Sequence, residues 1–95
     1  MIISRRAEAR LPDLAVAGYD FLRTEIHTGL TLAGLAADAK KSPAKMKRNL
    51  VNARKAHDSV LRFIHQVPLT PQQYTEIQKK FKKLKSALQE LGEEV

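Results

Sequence analysis

PDLAVAGYDFLRTEIHTGLTLAGLAADA, residues 12–39, has no proline after its first position and carries the widest apolar surface in the chain. Pro12 suits a first helical position, and Asp13 suits the positive end of a helix dipole. At 100° per residue, the apolar and small side chains of this stretch cover an arc of about 220°, against the stripe of about 100° that a helix on a two-layer surface needs. The remaining arc is narrow and polar: Arg23, His27, Asp20, Asp38, Thr31 and Thr24. A helix this apolar must touch at least two neighbours.

Two more helices follow, each opened by the same signal. Lys40 and Lys41 complement the negative end of the first helix, and Ser42-Pro43 restarts the chain with an N-cap and a proline at the first position. The short connection implies an antiparallel hairpin. Met46, Leu50, Ala53, Val60, Leu61 and Ile64 form the apolar arc of this second helix, which Pro68 ends after about Gln66. Thr70-Pro71-Gln72-Gln73 repeats the restart as a capping box. Tyr74, Ile77, Phe81, Leu84, Leu88 and Leu91 then recur at alternating spacings of three and four, a heptad seam that Gly92 closes. No strand pattern appears. The expected fold is all-α, an antiparallel three-helix up-down-up bundle over residues 12–92, with helices near 12–39, 43–66 and 71–91. Residues 1–11 read either as a basic arm or as a short extra N-terminal helix capped by Ser4 and interrupted by Pro12; residues 93–95 are expected to fray.

Ninety-five residues make one domain with a modest core. There is no cysteine, so neither a disulfide nor a thiolate site exists. The first residues lack the long apolar run of a secretory signal, and no stretch is long and apolar enough to span a bilayer, which points to the cytoplasm and away from a membrane partner. The formal net charge of +7 is uneven: residues 43–67 hold six Lys/Arg and one Asp, whereas the flanking segments are close to balance.

Two ionisable residues interrupt the apolar faces, Glu25 on the first helix and His57 on the second. With the hairpin turn centred on Lys41, residues at equal height have numbers adding to 82, which Glu25 and His57 meet. They are therefore expected to form a partly buried polar pair that sets the hairpin register. Breaking such a pair, if buried, costs on the order of 3–5 kcal/mol. An acid/base or metal role is disfavoured, because a packed helical core leaves little room for substrate and Glu25-Ile26-His27 lacks the Glu-x-x-His spacing of carboxylate-metal bundles.

The surplus apolar edge of the first helix, Tyr19, Ile26, Leu30 and Ala37, is expected to dock another helical protein or a second copy, a symmetric dimer being the commonest form. The alternative is that the third helix packs further round and hides it. The basic residues Lys47, Arg48, Arg54, Lys55 and Arg62, with Lys79 and Lys83 of the third helix, are candidate phosphate contacts, although no aromatic residue is interleaved for base stacking. Neither a glycine-rich phosphate loop, nor a nucleophile with a base, nor a metal-ligand cluster is present, so no catalytic residue, metal or cofactor is expected; Ser59 near His57 points about 100° away from its neighbours. The expectation is a non-enzymatic helical interaction module, self-associating or docking a partner helix on its first helix; the alternative is an accessory protein that binds the RNA or DNA backbone.

Overall fold

The computed structural model describes the backbone of residues 2–95 and the side chains from Ala15 onward. Three helices make up the fold: α1 (Ile2–Asp38), α2 (Pro43–Phe63) and α3 (Pro71–Glu90), with no strand among the described residues. The molecule measures 60 × 25 × 17 Å. Its long dimension matches α1, whose 37 residues span about 56 Å at 1.5 Å per residue.

α1 does not start at Pro12. It begins ten residues earlier and continues through the proline, so what read as a separate arm or short helix is the first part of α1. Pro12 has no N–H to give to the carbonyl of Glu8, which removes one bond from the ladder. The flanking Arg, Ala, Glu and Leu residues of positions 5–11 are strong helix formers and carry the helix across that loss.

The two restarts behave differently. Ser42 holds the N-cap position before Pro43, but its side chain makes no capping bond; its carbonyl accepts from Met46 N at 3.0 Å. Thr70 and Gln73 form the complete box. Gln73 N donates to Thr70 Oγ1 at 3.1 Å, and Thr70 N donates to Gln73 Oε1 at 3.0 Å. At the other end of α3, Gly92 takes φ +91°, with Gly92 N donating to Gln89 O and Glu93 N to Leu88 O, both at 3.0 Å. That is a Schellman cap, and only glycine enters this backbone region without strain. Beyond the cap, Gln89 Nε2 donates to Val95 O at 3.1 Å, and Val95 packs against the core.

The core is one cluster drawn from all three helices: Leu22, Ile26 and Ala33 of α1, Ala53 and Val60 of α2 with Ile64 just beyond it, and Ile77, Leu84 and Leu88 of α3. Contacts along α1 give the register. Gly18 lies against Val67, Phe21 against Phe63 and Gly29 against Ala56, so residue numbers at equal height add to 84 or 85 and α2 runs back along α1. Tyr19 meets Glu76 and Gly29 meets Leu84, so α3 runs in the direction of α1 with an offset of 55–57 positions.

Gly29 faces both of the other helices. A Cβ built there would lie 2.8 Å from Leu84 Cδ2 and 3.2 Å from Ala56 Cβ. Gly34, one and a half turns along α1, would meet nothing within 4 Å. Gly34→Ala is therefore expected to stabilise the protein by about 0.5–1 kcal/mol through helix propensity alone. Urea denaturation checks this: an unchanged or lower midpoint at constant slope contradicts it.

Candidate functional site

His57 is buried, 4% exposed, as its place on the apolar arc requires. Its partner is not Glu25. Nδ1 donates to Asp58 Oδ1 at 2.9 Å, and the ring stacks on Phe81 of α3 with centroids 4.8 Å apart. Asp58 also accepts from Arg54 Nε at 3.2 Å. Burial pushes the Asp58 carboxyl up, but the hydrogen bonds from His57 and Arg54 outweigh it and hold the group below the ordinary carboxylate range. Glu25 is half-buried and makes no ion pair or side-chain hydrogen bond among the described residues. The hairpin register explains the difference. With numbers adding to 85, Glu25 stands level with Val60, and His57 is level with Thr28. Three positions of slip also turn α2 by about 300°, which aims His57 at α3. The adjacency of His57 and Asp58, and the position of Phe81 on the heptad seam, were the usable signals for the contacts that do form.

The apolar edge expected to receive a partner is occupied. Ile26 is 1% exposed and belongs to the core, and Tyr19 and Leu30 pack against it. Ala37 is half-buried. α3 covers the edge: the Tyr19 hydroxyl donates to the Glu76 carboxylate, and the Arg23 guanidinium sits 5.3 Å above the Tyr19 ring. The hydrogen bond to Glu76 raises the Tyr19 phenol above its usual value, with burial adding to it. The same bond lowers the Glu76 carboxyl, helped by Lys80 at 3.4 Å.

The exposed side of α1 has a different composition from that edge. Ala17, Phe21, Thr24, Thr28, Thr31 and Leu35 are all exposed and follow each other at spacings of four and three. None carries a charge. Phe21 and Leu35 are 40% and 49% exposed, and the Phe21 ring lies edge-on to Phe63 at 5.8 Å. Three-four spacing puts these six on one side of the helix, with Ala17, Phe21 and Leu35 apolar and three threonines between them.

The basic residues do not form one surface. Lys47, Arg48, Lys55 and Arg62 are exposed on the side of α2 opposite Ala53, Ala56, His57 and Val60, and none is within 4 Å of a carboxylate among the described residues. Arg54 is partly neutralised, by Asp58 and at 4.0 Å by Glu93. Lys79 and Lys83 are exposed on α3, apart from the basic side of α2, and Lys83 borders the groove between α3 and α1. Arg62 lies 6.0 Å from the Phe63 ring centre.

Among the described residues, every buried side-chain nitrogen or oxygen has a partner. No group of three His, Asp or Glu side chains among them could hold a metal, and no described helix is long and apolar enough to cross a membrane. Compared with protein families, curated proteins and solved structures, the chain shows no significant match.

Proposed function

We propose that the protein is a non-enzymatic interaction module that self-associates through the exposed side of α1. The observation that carries this is the uncharged stripe from Ala17 to Leu35. A second copy laid antiparallel on the same stripe would set Ala17 against Leu35, Phe21 against Thr31, and Thr24 against Thr28. Ala17 would then face the larger Leu35 and Thr31 the larger Phe21, with threonines paired at the two-fold axis between the copies.

A second reading rests on the uncompensated cations Lys47, Arg48, Lys55 and Arg62 of α2, which could neutralise a run of phosphates on RNA or DNA. Salt separates the two. Copies that each carry net charge +7 repel, so self-association should strengthen as salt screens them. Phosphate-backbone binding should weaken steeply with salt. Light scattering and the absorbance ratio of the purified protein at low and high salt read both. The expected result is a dimer mass that rises with salt at a clean protein absorbance, and a monomer for Phe21→Asp and Leu35→Asp with helix content unchanged. Nucleic acid shed by salt would establish the second reading. A clean monomer at both salts would remove the first.

A further inference from the structure

We propose that the groove between α1 and α3 is a binding site for a small phosphorylated anion with a compact apolar body. The groove encloses about 630 Å³ and is lined by Asp20, Arg23, Thr24, Ile26, His27, Leu30, Lys80 and Lys83. That size falls in the range of small-molecule sites, about 300–1,000 Å³. It borders the exposed stripe at Thr24, while Arg23, Ile26, His27 and Leu30 lie on the flank of α1 turned away from Phe21.

The register arranges the charges in tiers. With α3 offset from α1 by 55–57 positions, Glu76 is level with Tyr19 and Asp20, Lys80 with about residue 24, and Lys83 with about residue 27. Asp20 and Glu76 therefore sit at one end of the groove and Lys80 and Lys83 nearer its middle, while the Arg23 guanidinium reaches over the Tyr19 ring at the acidic end. Lys80 is engaged by Glu76 at 3.4 Å. Arg23 and Lys83 make no ion pair among the described residues, and His27 faces the same space. Arg23 is also held in place, with its guanidinium over the Tyr19 ring and that ring anchored to Glu76. A pre-positioned guanidinium loses little freedom on binding, and its fork matches phosphate oxygens.

Ile26 and Leu30 form the floor. Leu30, half-buried, offers apolar area to the rest of the ligand, whereas Ile26 beneath it is closed off in the core. Asp20 and Glu76 repel negative charge at the far end. The phosphate is thus directed toward Arg23, His27 and Lys83, with the apolar body over Leu30.

Pyrophosphate and inorganic phosphate are the probes, added to the full chain while backbone amide NMR shifts are followed, with chloride at matched ionic strength as control. The expected result is saturable shifts confined to residues 20–30 of α1 and 79–84 of α3. Arg23→Gln and Lys83→Gln should each weaken pyrophosphate by about tenfold, as loss of a charge-assisted hydrogen bond implies. Asp20→Asn should tighten it, and Lys55→Gln on α2 should leave it unchanged. All four residues are exposed or half-exposed, so folding should persist, and helix content by circular dichroism verifies it. Shifts that grow linearly without saturating, or that appear equally around Lys55 and Arg62, would overturn the proposal by showing only diffuse attraction to a basic surface. Equal response to chloride would do the same.

Discussion

Ile26→Asp is expected to unfold the protein, not to release a partner from its surface. Ile26 is 1% exposed among Leu22, Ala33, Ile77 and Leu84 in the one cluster that joins the helices. An aspartate there must either hold an unpaired charge in the core or stay protonated with a carboxyl short of partners. An uncompensated buried charge costs roughly 3–5 kcal/mol, and lost apolar burial adds to it. Domains of this size hold only about 5–10 kcal/mol in total. The variant should therefore lack a cooperative urea transition, or show one with its midpoint sharply lowered. Ile26→Ala, losing about 2–4 kcal/mol, should remain folded and serve as the graded control. Phe21→Asp, on the exposed stripe, should keep a cooperative transition, with a smaller loss of about 1–2 kcal/mol from the edge-on contact with Phe63. A normal transition in Ile26→Asp, accompanied by a fall in molar mass, would mean that α3 does not cover this edge in solution.

The second large effect is expected at the contact between Leu84 and Gly29. Leu84 is fully buried, and its removal to alanine should cost about 2–5 kcal/mol, depending on how far the helices close over the space. Gly29→Ala alone sets two opposing effects against each other. Helix propensity favours it by about 1 kcal/mol. Against that, its Cβ would stand 2.8 and 3.0 Å from the two Leu84 methyls and 3.2 Å from Ala56 Cβ. Leu84 is closed in on all sides and cannot swing away freely, so crowding of about 1–3 kcal/mol should win. In the Leu84→Ala background the same methyl enters vacated space, and Gly29→Ala should become stabilising. Denaturation of the two single variants and the double variant should give a favourable coupling of about 1–3 kcal/mol. Additive losses would mean that the two positions do not touch.

These contacts also show where the reading of residues succeeded. The helix starts at Pro43 and Pro71, the Thr70–Gln73 box, the Gly92 cap and the heptad seam through Ile77, Leu84 and Leu88 were all legible. Each depends on chemistry within about four residues. The passage of α1 through Pro12 was not legible, because a proline ends one helix and is tolerated in another according to what the flanking turns supply. The tail at 93–95 was not legible either, since the acceptor that Gln89 uses on Val95 becomes available only once the Schellman cap has turned the chain.

The candidate surfaces depended on quantities that no local pattern contains. A wheel shows that α1 needs two neighbours, but not which side each takes. The wide apolar arc and the basic excess of residues 43–67 were properties of the chain by itself, as were the number of helices and the caps of α3, because periodicity, capping and charge are local. The tertiary structure decided that His57 faces Phe81 and Asp58, that α3 buries Ile26, and that Arg23 and Lys83 share a groove. The physical reason is helical geometry: each residue of register turns a side chain by about 100°, so a slip of three positions at one hairpin reassigns every facing partner.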